Sequence, residues 1–126
     1  MRAVDTNLLV RLIARDDEAQ VSAAEAFVES GAWVSQLALM ETTWVLESVY
    51  DRTRAHLAEA VELLLDHRHL TVQDRDVVAA ALGAFRARRA VSFSDCLILE
   101  VARKAGHLPL GTFDRDLAKL EGTERL

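Results

Sequence analysis

The sequence predicts an α/β protein, with a mostly parallel sheet of about five strands covered on both faces by helices. Two observations carry this. Short apolar runs alternate along the chain with longer segments whose apolar residues recur at helical spacing, and strands that alternate with helices lie naturally as parallel neighbours. The 126 residues, 51% of them hydrophobic, suffice to bury one sizeable core, and no repeat, low-complexity tract or linker interrupts them. Residues 1–126 are therefore expected to form a single domain.

Taken in order, Arg2 to Val4 reads as a short buried strand and Leu8 to Ala14 as a short helix with Leu8, Leu9, Leu12 and Ile13 on a broad apolar face. Asp16-Asp17 punctuates the chain and caps a helix from Asp17 to Glu29, which stops before Gly31. Trp33-Val34-Ser35 is the next strand. Helical spacing then runs from Gln36 to Tyr50 and again from Thr53 to Asp66, where Leu57, Val61, Leu64 and Leu65 mark the inner face, so the two are expected to pair. Leu70 to Val72 is a third strand, Asp76 to Arg88 a helix, and Ser94 to Ala105 another that ends at Gly106. A fourth strand spans Leu108 to Thr112, a short helix Asp114 to Leu120, and a last strand lies near Thr123 to Leu126.

Charge and cysteine usage narrow the function classes. A net charge of −5 speaks against a protein that wraps nucleic acid with a basic face, since such binding draws on phosphate neutralisation. Apart from Lys104 and Lys119, all 15 basic residues are arginine, and Arg86, Arg88 and Arg89 cluster before Asp95 as either a solvated helix end or a local phosphate-binding edge. The lone Cys96 permits no internal disulfide, and the N-terminus shows no signal-peptide pattern, so a reducing cytoplasm is the expected compartment. No apolar run approaches the roughly 20 residues that cross a bilayer, and no membrane role is expected.

Four carboxylates stand where the pattern places the ends of strands and the first turns of helices: Asp5, Glu41, Asp95 and Asp114. Asp5 is a helix cap or a ligand at a strand end, and alone it does not choose. Glu41 has Leu37 four residues before it, Trp44 three after and Val45 four after, which puts it on the buried side of its helix, where an arginine or a divalent cation must meet it. Asp95 sits in a first turn, where the helix dipole favours an acid, yet Ile98, Leu99 and Ala102 place it at the inward edge. Asp114 and Asp116 follow a strand, and one caps while the other binds; Asp114 is nearer the strand end.

Carboxylates that converge to about 4 Å repel by roughly 4 kcal/mol per pair at an effective dielectric near 20, so such a cluster must bind cations or take up protons. All-oxygen donors suit Mg²⁺ or Mn²⁺, and the histidines, with His67 and His69 two apart, form no zinc set. These ions serve phosphodiester hydrolysis. Thr112 is placed to hydrogen-bond a ligand carboxylate or a water, and Asn7 to hold a loop or a phosphate oxygen; both also suit plain turn roles.

The ordered set resembles the PIN-domain ribonucleases, and within them the VapC-type toxins of toxin–antitoxin pairs. Asp5-Thr6-Asn7 before Leu8-Leu9-Val10-Arg11 is similar to the family's opening motif, and Met40-Glu41-Thr42-Thr43-Trp44-Val45-Leu46 to its glutamate helix. Ser94-Asp95-Cys96-Leu97-Ile98 matches the third acid, and Thr112-Phe113-Asp114-Arg115-Asp116-Leu117 the closing motif. The resemblance implies a three-layer α/β/α sandwich, Mg²⁺ or Mn²⁺, endonucleolytic cleavage of RNA, and a homodimer inhibited by a small antitoxin. It assigns Asp5, Glu41, Asp95 and Asp114 as metal-binding acids, with Thr112 and Asp116 in support. Ser92 stands where many relatives carry a further acid, a departure that bears on a second metal site.

Two other readings compete. A phosphoacceptor signalling domain has similar length and acids at strand ends, but neither Lys104 nor Lys119 follows a strand as its chemistry wants. A catalytically silent RNA-binding module of the same fold is opposed by the retention of all four acids. Finally, Leu12, Ile13, Val45, Leu46 and Val49 exceed what one side of each helix can bury, so a groove for an antitoxin helix or for the homodimer is expected there.

Overall fold

The computed structural model describes residues 1–126. Five strands alternate with six helices: β1 (Arg2–Ala3), α1 (Thr6–Ala14), α2 (Glu18–Val28), β2 (Ala32–Val34), α3 (Gln36–Ser48), α4 (Arg54–Asp66), β3 (Leu70–Val72), α5 (Arg75–Ala87), α6 (Phe93–Ala105), β4 (Leu110–Thr112), a 3₁₀ turn (Leu117–Lys119) and β5 (Thr123–Arg125). The fold is α/β, and every strand pairing is parallel. The strands are hydrogen-bonded as two sets, β1-β2-β3 and β4-β5. No helix is long and apolar enough to cross a membrane.

The chain divides into two units, Met1–Arg75 and Asp76–Leu126. In the first, β2 is the central strand, with Arg2 opposite Ala32 on one side and Trp33 opposite Thr71 on the other. Helix α1 packs on α2 and α3, α3 on α4, and α4 on β3. The local chemistry explains the boundaries. Asp5, Asp17, Ser35 and Thr53 each cap a helix by accepting the backbone N–H three residues on, and Gly31 takes the left-handed turn after α2 at φ +94°. Leu9, Val34, Leu39, Leu46, Val61 and Leu64 are fully buried and form the heart of this unit.

In the second unit, Phe85 of α5 meets Phe93 of α6 edge to face at 5.8 Å between centroids, an arrangement aromatic quadrupoles favour. Gly106 closes α6 at φ +83°, its N–H donating to the carbonyls of Ala102 and Arg103. Strands β4 and β5 pair Leu110 with Thr123 and Thr112 with Arg125.

Three expectations need correction. Arg2 and Ala3 are exposed, so β1 is a partly solvated edge strand of its sheet, and only Val4 beyond it is buried. Leu12 and Leu46 are core residues, at 6% and 1% exposure. A cleft of about 710 Å³ does open beside Leu12 and Ile13, but its other walls include Val28 of α2, Leu63 of α4 and the histidines His67 and His69, and no residue of α3, so it is not the expected groove between α1 and α3. Glu41 is exposed, together with Leu37 and Trp44 at 73% and 63%. The inward face of α3 is instead Ala38, Leu39, Thr42, Thr43 and Leu46, because small side chains let α1 approach closely. Its two buried hydroxyls are satisfied within the helix, Thr42 Oγ1 donating to the Ala38 carbonyl and Thr43 Oγ1 to that of Met40, each at 2.7 Å.

Candidate functional site

In the first unit, Asp5 follows β1 and opens α1. Its Oδ1 accepts the Leu8 N–H at 3.0 Å, which satisfies a helix-end donor that would otherwise lack a partner, while Oδ2 takes no part in the cap. Asn7 is exposed in the first turn of α1 and borders a shallow, mostly apolar hollow with Leu8, Ala23 and Phe27. Glu41 projects from the exposed face of α3 and forms no ion pair.

In the second unit, Ser92 caps α6 by accepting the Asp95 N–H at 3.1 Å, so Asp95 is the acid of the first turn and is half-buried. Its inward-edge placement is intermediate, since Leu99 one turn on is buried but Ile98 is 47% exposed. The segment after β4 is a nested turn. Thr112 Oγ1 accepts the Asp114 N–H at 3.0 Å, and Asp114 Oδ1 accepts the N–H groups of Asp116 at 2.8 Å and Leu117 at 2.9 Å. Asp114 is thus the capping residue of the pair and keeps Oδ2 outside the turn. Asp116 pairs with Lys119 at 3.5 Å. Thr112 thereby orients the Asp114 backbone.

Asp5, Glu41, Asp95 and Asp114 form no ion pair, a state they share with other acids of the chain such as Glu18, Glu47 and Glu124. Neither unit by itself gathers three or more His, Cys, Asp or Glu side chains into a metal-binding group. Asp5 and Glu41 belong to the first unit, Asp95 and Asp114 to the second. These four candidates offer only carboxylate oxygens, which suit a hard cation such as Mg²⁺ or Mn²⁺ better than zinc, which favours nitrogen and sulfur.

The Tyr50 hydroxyl, followed by the Arg11 guanidinium, holds the Asp16 carboxyl below its ordinary range, and Lys104 does the same for Asp76. Burial, and then the neighbouring His69, push His67 down. Its Nδ1 accepts the His69 backbone N–H at 3.1 Å.

Sequence reasoning missed two features. The pattern Ser92-x-x-Asp95 is a capping signature legible in the sequence, and it makes Ser92 the structural start of α6. The bonds joining Arg11, Asp16 and Tyr50 had no local signal, because Tyr50 lies 39 and 34 residues from its partners.

A comparison with curated proteins and one with solved structures give no significant match. The family model for the PIN domain matches residues 2–122, a span that covers nearly the whole chain and contains the positions of all four candidate acids, and the chain therefore belongs to the PIN-domain family.

Proposed function

We propose that this PIN domain is a Mg²⁺- or Mn²⁺-dependent endoribonuclease and the toxin half of a toxin–antitoxin pair. PIN domains are nuclease-type domains, which supplies the hydrolase class. The observation that supports the finer reading is that the segment matched to the PIN domain contains the four acids that the sequence resemblance assigns as its metal ligands. In this reading Asp5, Glu41, Asp95 and Asp114 hold the metal. Thr112 and Asp116 support Asp114 through the turn that orients its carboxylate, and Asn7 stands beside Asp5 at the substrate. A bound ion would supply an activated water and charge neutralisation at the scissile phosphate. The residues' own part is to fix the ligand oxygens in advance: the caps at Asp5 and Asp114 hold each carboxylate in one rotamer.

The proposal extends to one domain over residues 1–126, since the family model runs across the boundary between the two units. It also includes a cytoplasmic homodimer that a small antitoxin inhibits. The test is cleavage of RNA by purified protein after chelation, with metal then titrated back. Cleavage that vanishes in chelator and returns with Mg²⁺ or Mn²⁺ supports the reading. Undiminished cleavage in excess chelator contradicts the metal mechanism, and RNA binding without cleavage at any metal concentration supports a silent binding module instead.

A further inference from the structure

Tyr50, Arg11 and Asp16 join three elements at one point and have no part in the ligand set above. Tyr50 lies just beyond α3, Arg11 in the last turn of α1, and Asp16 in the connection to α2. Arg11 Nη1 donates to the Tyr50 hydroxyl at 2.9 Å and to Asp16 Oδ1 at 3.1 Å, and the hydroxyl donates to Asp16 Oδ2 at 2.9 Å. Arg11 Nε also donates to Gln20 Oε1 in the first turn of α2. The three side chains thus close a ring of hydrogen bonds, and none of them can turn away without breaking two.

The same elements carry the first unit's proposed ligands. Asp5 caps α1 and Glu41 rides on α3. Along a helix at about 1.5 Å per residue, Arg11 lies roughly 9 Å beyond Asp5. Helices α1 and α3 are packed together through an apolar face, and apolar burial is non-directional, so it sets the distance between the helix axes more firmly than their slide. Hydrogen bonds are directional and resist that slide.

We propose that Tyr50, acting through Arg11 and Asp16, is a positioning residue that fixes the slide of α3 along α1 and thereby the spacing of Asp5 and Glu41 as ligands of one divalent cation. This rests on the metal reading of those two acids. It assigns Tyr50 no contact with metal or RNA; the hydroxyl acts only through the register of the two helices.

The test is Tyr50→Phe, which removes the hydroxyl alone, with Mn²⁺ affinity read by titration calorimetry and amide exchange in α1 and α3 read by mass spectrometry. In the otherwise native chain the substitution weakens Mn²⁺ about tenfold, as loss of an outer supporting bond typically does, and speeds exchange in both helices. In a Glu41→Gln background it changes affinity by less than about twofold, because the placement of a ligand already removed no longer matters. Thr53→Ala, which deletes the cap of α4 away from this ring, is the control for general destabilisation and leaves Mn²⁺ affinity unchanged. Equal affinity in the parent and Tyr50→Phe, or an equal loss in Thr53→Ala, overturns the positioning role while leaving the metal reading intact. A parent chain that binds no Mn²⁺ overturns the metal reading, and this proposal with it.

Discussion

Asp5 and Asp114 share a geometry: one carboxylate oxygen accepts backbone N–H groups of the turn that follows, and the other lies outside that turn. Capping and metal binding are therefore compatible in one residue, which is why the sequence pattern alone left them open. The two roles separate by substitution. Asn keeps a capping oxygen but removes the charge, so Asp5→Asn and Asp114→Asn are expected to abolish RNA cleavage with a melting temperature in chelator equal to or above the parent's, since a repulsive charge is gone. Asp5→Ala loses the cap as well and costs about 1 kcal/mol of stability. Thermal melts beside cleavage assays decide it, and an Asn variant that melts markedly lower yet still cuts would reduce Asp5 to a cap. Glu41 was misplaced for an equally local reason. Its bulky neighbours Leu37 and Trp44 read as an inner stripe, whereas the smaller Ala38, Thr42 and Thr43 are the ones that pack inward.

At the scale of elements, every strand and helix was legible, because periodicity of apolar residues and capping residues at Asp5, Asp17, Ser35 and Thr53 are local signals. Which face of α3 turns inward was not legible, because apolar residues lie on both. The outer face leaves Leu37 and Trp44, two turns apart, each more than 60% exposed, and exposed apolar side chains of that kind commonly mark an interface. For the proposed homodimer, Trp44→Asp is expected to give a monomer by light scattering at a concentration where the parent is dimeric; a dimer that survives it would place the interface elsewhere. The Tyr50 ring makes a second prediction. The Asp16 carboxyl is held below its ordinary value of 3.8 by the Tyr50 hydroxyl and, more weakly, by Arg11. A carboxylate whose folded pKa is depressed contributes stability that is full above the unfolded value and lost as pH falls through the folded one. The gap in melting temperature between the parent and Tyr50→Phe should therefore be level from about pH 8 to 5 and narrow below about 4. A gap that persists unchanged into acid would show that the hydroxyl acts without the carboxylate.

For the whole molecule, the PIN family model spans residues 2–122 and so includes both units. A single domain predicts a single cooperative transition. Trp33 and Trp44, the chain's two tryptophans, both lie in the first unit, so their fluorescence follows that unit alone while far-UV circular dichroism follows helices of both. Coincident melting curves are expected, and separated midpoints would mean two domains. The acidic net charge of −5 also bears on function at this scale, because a site built from carboxylates can meet a polyanion only with cations present. Mn²⁺ titration calorimetry on the parent and on Asp5→Asn, Glu41→Gln, Asp95→Asn and Asp114→Asn decides whether the proposed four-acid ligand set exists. The parent should bind Mn²⁺, and each of the four variants should bind it at least about tenfold more weakly. Variants of one unit that bind Mn²⁺ as tightly as the parent would contradict that set.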